Sequence, residues 1–213
     1  MKSIYTVVLC LVLGMSTCFG QDTIVVFNKD KVWGIMNING KVLKEGDIFE
    51  KANLQFQNGL SRIDKLRFLD TSGNVFNVND YGVLIVKSRE FYDGLLAVKV
   101  ANKWGFMNSK GQIVIQPIYN QATDFDGGLA VVKKKKEYLI LDITGKETTV
   151  ISNNKKVTHM KKFSEGLAAI EIENQLWGFV NGKGEIVVDA QYKSTGYFKK
   201  GLVWVKLKNN LKV

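Results

Sequence analysis

Asp124, Asp126, Gly127 and Gly128 crowd into the stretch "TDFDGGL". Two carboxylates beside glycines suggest a calcium loop, because a hard cation gathers several oxygen ligands at one turn. Corresponding places elsewhere in the chain read Gln57-Asn58, Tyr92-Asp93, Ser164-Glu165 or Lys199-Lys200 before the glycine. Carboxylates are therefore replaceable there, and a turn explains the pattern better than a metal. His159 is the only histidine, and both cysteines, Cys10 and Cys18, fall in the first twenty residues. Without partners of the right kind, His159 makes neither a zinc site nor a histidine-based triad. No pair of acids stands apart from the repeated pattern as the two carboxylates of a glycosidase would. The expectation is a non-enzymatic protein with no catalytic residue, no metal ligand and no cofactor.

Two features remain as candidate ligand contacts. Lys133, Lys134, Lys135 and Lys136 form a run at a hairpin tip. A solvated tip is the plain reading, and an anion-binding patch shared with Lys155, Lys156, Lys161 and Lys162 is the sharper one. Trp204 is the one tryptophan outside a recurring motif, and it shares a strand face with Lys206. Its indole either covers the exposed edge of the last unit or stacks on a sugar or protein partner.

The elements that must position these residues repeat. Phe-x-x-Gly-Leu occurs five times, ending at Leu60, Leu95, Leu129, Leu167 and Leu202, with glycines at Gly59, Gly94, Gly128, Gly166 and Gly201. A second glycine recurs at Gly40, Gly73, Gly111, Gly145 and Gly184, each three residues after Asn37, Asp70, Asn108, Asp142 or Asn181. An Asx at the first position and a glycine at the fourth specify a type I turn closed by a left-handed residue, a common hairpin connection. Seven residues before each of these glycines stands Trp33, Leu66, Trp104, Tyr138 or Trp177. Four residues past each Phe-x-x-Gly glycine is a β-branched residue, Ile63, Val98, Val132, Ile170 or Val205, and the next is charged. That alternation predicts half-buried strands with the β-branched position inward.

The unit is a three-stranded antiparallel meander of about 36 residues, with an irregular stretch leading to the next unit. Units start near residues 24, 59, 94, 128 and 166, with a partial one from 201. The fold class expected is all-β, tandem meanders forming an open superhelical array, with a closed propeller-like ring as the alternative.

The residues Lys103-Trp104-Gly105-Phe106, Gly111, Pro117-Ile118-Tyr119, Phe125 and Gly128-Leu129-Ala130-Val131 resemble the WG (KWG) repeat family of bacterial proteins. The resemblance covers most of the chain and is strongest around Trp104 and Trp177. It implies tandem β repeats, often exported, and supplies no catalytic residues.

The motif also alternates. Trp33-Gly34, Trp104-Gly105 and Trp177-Gly178 keep both residues, while Leu66-Arg67 and Tyr138-Leu139 lose both. A super-repeat of two units, about 72 residues, follows, and it expects a degenerate strand at Leu211-Lys212. The sequence stops at Val213 inside that strand, so either an incomplete unit caps the array or the sequence is truncated. The joint loss of Trp and Gly suggests that the indole of one unit lies over backbone near the glycine of another.

Residues 1–20 have the layout of a secretory signal peptide: Lys2, an apolar run from Ile4 to Leu13, and small residues before Gln21. Cleavage is expected between Gly20 and Gln21; the alternative is lipidation at Cys18, making an outer-membrane lipoprotein. Residues 21–213 would then form one domain, with no transmembrane segment and no disulfide. The formal charge is +10, and Lys2 is the only charge in the signal segment, so the excess stays with the mature protein. Export makes an anionic envelope glycan, another polymer or a protein the expected partner rather than nucleic acid. The reading is a periplasmic or extracellular binding or interaction module of the cell envelope. A structural spacer and an enzyme with an unrecognised site, such as a glycan hydrolase, are the alternatives.

Overall fold

The computed structural model describes residues 6–7, 24–29, 32–37, 39–46, 60–64, 66–151, 156–173 and 175–207. The cleavage site, Cys10, Cys18, Gly59, Lys155 and the strand expected at Leu211 lie outside them, as does the side chain of Trp33. The chain divides into two compact units, Met1–Leu84 and Ile85–Val213.

In the first unit, β1 (Thr6–Val7), β2 (Ile24–Lys29), β3 (Val32–Asn37) and β4 (Val42–Glu45) form one antiparallel sheet in sequence order. A second sheet is the simple meander β5 (Leu60–Arg62), β6 (Arg67–Asp70) and β7 (Val75–Asn77). It leads into a 3₁₀ turn, Val78–Tyr81. Asn77 caps this turn by accepting from the N–H of Asn79, and left-handed Gly82 ends it.

The second unit holds three sheets. The first contains β8 (Lys87–Tyr92), β9 (Leu95–Val100), β10 (Lys103–Asn108) and β11 (Ile113–Tyr119). The next contains β12 (Gln121–Ala122), β13 (Leu129–Lys134), β14 (Glu137–Asp142) and β15 (Glu147–Thr149). The last contains β16 (Val157–Met160), β17 (Leu167–Ile172), β18 (Leu176–Asn181), β19 (Ile186–Thr195) and β20 (Val205–Leu207). The class is all-β, in tandem sheets, and among the described residues none of the five closes on itself.

All five Asx-x-x-Gly turns form as expected. In each, the glycine N–H donates to the Asx carbonyl at 3.0 to 3.2 Å. The Asx side chain accepts from the N–H groups two and four residues on, as Asn108 does from Lys110 and Gln112, both at 3.0 Å. Gly111 has φ 78°, so the turn needs the one residue that enters this region without steric cost.

The stretch expected to be irregular before Phe-x-x-Gly-Leu supplies a fourth strand: β8, β12 or β16. Its connection is a two-residue turn with both residues left-handed, Asp93-Gly94 (φ 50° and 78°), Gly127-Gly128 (60° and 79°) or Glu165-Gly166 (54° and 80°). This geometry is that of the type I′ turn, whose twist matches paired strands. Asp126 and Leu129 exchange both backbone hydrogen bonds across it. Asp124 and Asp126 thus belong to a hairpin approach, as their replaceability implied.

Strands of the middle sheet do not alternate between core and water. In β13, Ala130 and Val132 face a core shared with the preceding sheet, while Val131 faces a core shared with the following one. In β14, Leu139 and Leu141 divide from Ile140 in the same way. Both faces are dry because a sheet lies on each side, so the half-buried expectation holds only near the strand ends. The motif phenylalanine carries this stacking: Phe125 meets Phe106 of the previous sheet edge-to-face at 4.8 Å, and Phe198 meets Phe179 at 5.1 Å.

The motif glycine has a steric reason of its own. Trp104 pairs with Tyr119 and Phe106 with Ile115, so Gln116, Pro117 and Ile118 of β11 oppose the single residue Gly105. A Cβ on Gly105 would stand 2.5 Å from the Ile115 carbonyl oxygen and 2.7 Å from the Pro117 nitrogen. Gly178 faces the same bulge, against Val188 and Ala190. At Gly34 the intruders are the Phe27 ring and the Lys44 carbonyl. Where the glycine is lost, β6–β7 and β14–β15 pair in unbroken register. Proline is tolerated at residue 117 because a bulge does not require its missing donor.

Gly105→Ala is expected to lower stability by about 2 to 3 kcal/mol, since rigid backbone leaves the methyl no room. Gly127→Asn, at a position where other units carry Asp93, Glu165 and Lys200, is expected to change it by less than about 0.5 kcal/mol. Urea unfolding of both variants checks the contrast; equal losses would refute the bulge as the reason for the glycine.

Candidate functional site

The aromatic residue seven positions before the turn glycine is covered by a cation in each unit of the second half. The Arg89 guanidinium lies 4.9 Å from the centre of the Trp104 ring, and Lys161 Nζ lies 4.7 Å from that of Trp177. Arg89 and Lys161 each precede a type I′ glycine, Gly94 or Gly166, by five residues. In the intervening unit that place is Thr123, and Lys133, paired across the ladder with Tyr138, covers the ring from 4.5 Å instead. A cation over an aromatic face is worth about 0.5 to 2 kcal/mol, more as water is excluded.

Arg89 with Trp104 and Lys133 with Tyr138 share one cavity of about 350 Å³. Gln121, Ala122, Thr123, Val131 and Val132 also line it, with Met160 contributed by the next sheet. Among the described residues no acidic side chain lines it. Arg89 Nε is buried and has no hydrogen-bond partner. Two cations held at one cavity without a carboxylate between them favour an anionic guest, because desolvation strengthens each attraction.

Beside the cavity, the Tyr119 hydroxyl donates to Glu147 Oε1 at 2.8 Å, joining neighbouring sheets, and Lys134 Nζ donates to the same oxygen at 2.9 Å. Burial, then the Glu147 carboxylate, pushes the Tyr119 phenol far above its ordinary value. Burial alone would raise Glu147, but the hydrogen bonds from Lys134 and Tyr119 outweigh it and hold the carboxyl below the usual range.

The lysine run therefore splits. Lys133 enters the cavity wall, Lys134 is paired with Glu147, Lys135 is left-handed (φ 55°) with its N–H donated to Asn120 Oδ1, and Lys136 is exposed at the tip. Trp204 is 63% exposed, and its indole rests on Gly196. Val205, expected inward, and Lys206 are both exposed. His159 is exposed with Nδ1 3.0 Å from Glu171 Oε2. Among the described residues, no three of His, Cys, Asp or Glu gather as metal ligands.

Arg89 and Gln121 were missed by the sequence reading. The signal was present for Arg89: with Lys161 it obeys the two-unit period. So do Asp93, whose Oδ2 accepts from the Gly128 N–H at 2.8 Å, and Glu165, which accepts from the N–H groups of Lys200 and Gly201 at 2.6 and 2.8 Å.

Repeated antiparallel units joined through shared cores, with a cation over Trp104, Tyr138 and Trp177, define a tandem β-repeat protein. The family described as WG containing repeat matches residues 104–138 and 177–211, so these two segments are similar to that repeat. No curated protein matches the chain. Similar solved structures include the computationally designed Ika8 protein, 15% identical over 90% of this chain and 67% of that one, with TM-score 0.45. Hsv2p of Kluyveromyces lactis is 9% identical over 85% of this chain and 67% of that one, with TM-score 0.49. BamB from Moraxella catarrhalis is 11% identical over 84% of this chain and 64% of that one, with TM-score 0.38. Among the described residues no helix is long and apolar enough to cross a membrane.

The Tyr119–Glu147 link sets two limits on stability. A lowered carboxyl adds stability that is present above its unfolded value, about 4.5, and is lost as pH falls through the folded one. A raised phenol adds stability that is present below about 10.0 and is lost as pH rises beyond it. In urea midpoints measured across pH, Tyr119→Phe is expected to flatten the alkaline fall and Glu147→Gln part of the acid fall. Profiles identical to wild type would contradict the link.

Proposed function

We propose that this protein is an exported, non-catalytic binding module of the bacterial cell envelope, and that its ligand presents carboxylate or phosphate groups to the cavity between Trp104 and Tyr138. The observation that carries this reading is the pair Arg89 and Lys133 at a cavity with no lining acid. The net charge of +10 supports it by drawing a polyanion toward the surface. Export rests on residues 1–20, whose charged start, apolar run and small-residue end fit a cleaved signal. Gly20 is the expected last residue removed, and Cys18 is the lipid anchor if the other processing route is taken. Residues 21–213 then act as one repeat domain.

In this role the aromatic rings do not react. They hold the two cations in fixed positions and limit water, so an incoming anion meets charges already in place, and less ordering entropy is lost on binding. Lys134 stays with Glu147 and contributes field rather than contact. A spacer without a ligand is the competing reading, and it needs no cavity of this kind.

Wild-type protein is expected to be retained on peptidoglycan, lipopolysaccharide or envelope proteins at low salt and released at high salt. Arg89→Gln and Lys133→Gln should each weaken binding to the retained ligand about tenfold, about the value of one charge-assisted hydrogen bond. Absence of retention under every condition would favour the spacer.

A further inference from the structure

The cavity has a counterpart about two units further along the chain. Moving 73 positions on from Trp104, Ala122, Thr123, Val131 and Lys133 leads to Trp177, Thr195, Gly196, Trp204 and Lys206. The ladder repeats with them: Gln121 pairs with Lys133 and Ala122 with Val132, as Ser194 pairs with Lys206 and Thr195 with Val205. Lys161 takes the place of Arg89. Its Nζ lies 4.7 Å from the Trp177 ring and 5.4 Å from the Tyr197 ring, and it donates to the Thr195 carbonyl.

The two copies differ where a ligand would enter. Val131 is 3% exposed in the wall of the first, whereas Trp204 in its place is 63% exposed and Tyr197 is 51% exposed. The second copy is thus an open shelf, with Tyr197 beside Lys161 and the Trp204 indole resting on the adjacent Gly196. Lys162 Nζ also stands 5.8 Å from the Tyr197 ring, and Lys206 is exposed on the neighbouring strand. An aromatic face stacks on the C–H face of a sugar ring, and an adjacent ammonium pairs with an acidic substituent; each accounts for one part of this surface.

We propose that Lys161, Tyr197, Trp204 and Lys206 form a second binding site, for a uronic-acid-bearing polysaccharide, and that it acts together with the Arg89–Lys133 cavity on one chain. The proposal rests on the anion-binding reading of the first cavity and adds the ligand's chemistry: sugar stacking at the second site, acidic groups at both. Two linked sites hold a polymer more tightly than either holds a short fragment, since the second contact is intramolecular.

The test uses alginate as the polyuronate, polyphosphate as a polyanion without sugar, and four proteins: wild type, Arg89→Gln, Trp204→Ala and Lys161→Gln. Folding is checked by thermal unfolding; Trp204 is mostly exposed, so its removal leaves the core intact. Trp204→Ala is expected to weaken alginate binding about tenfold and polyphosphate binding less than twofold, with Lys161→Gln weakening both. If Arg89→Gln weakens alginate binding and Trp204→Ala does not, the second site is overturned and the cavity stands. If Trp204→Ala weakens it and Arg89→Gln does not, the cavity reading falls and the second site stands. Failure of wild type to bind either polymer overturns both.

Discussion

A sheet of four short strands, wet on both faces, does not hold together, and the whole second half of this chain is a solution to that constraint. Phe125 reaches back to Phe106, and Phe198 to Phe179, so at both places a motif ring packs against the preceding strands. Because β13 and β14 send alternate residues to opposite cores, the middle sheet is covered on both faces and its stability is shared with both neighbours. Nearest-neighbour stacking of this kind makes each sheet depend on the next.

Close stacking in turn constrains the backbone. Connections at both ends of the sheets must reverse direction within two or three residues, so left-handed positions are concentrated there. Opposite Gly105 and Gly178 the third strand carries a bulge, and a bulged strand bends. The bulge sets the units of Trp104 and Trp177 apart from the plainly paired β6–β7 and β14–β15. It also brings Tyr119 opposite Trp104 and Tyr192 opposite Trp177. Structure and site are therefore coupled: the glycine admits the bulge, and a cation then settles on the indole beside it.

The alternation between units has functional weight for the same reason. Over Trp104 and Trp177 the covering cation comes from five residues before the type I′ glycine, and over Tyr138 it comes from the adjacent strand. Two cations from different sheets thereby reach one cavity between Trp104 and Tyr138. A uniform array would place one cation per ring in equivalent surroundings, without that convergence.

Much of this was legible in the residues. The Asx-x-x-Gly turns, the tandem meander, the two-unit period and the replaceability of Asp124 and Asp126 depend on local rules, since a left-handed turn position or an alternating strand constrains side chains a few residues apart. Asp93-Gly94 could also have announced the fourth strand, because that pair favours the type I′ hairpin. Other features were not local. The bulge opposite Gly105, the burial of both faces of β13 and the separate fates of Lys133 and Lys134 depend on which strand or sheet lies alongside. Four adjacent lysines have the same charge in sequence; packing alone put one on Tyr138, one on Glu147 and two in water. The amino-acid order by itself determined the repeat and its turns. The tertiary structure decided where cations gather, because a site made from three sheets exists only once they are stacked.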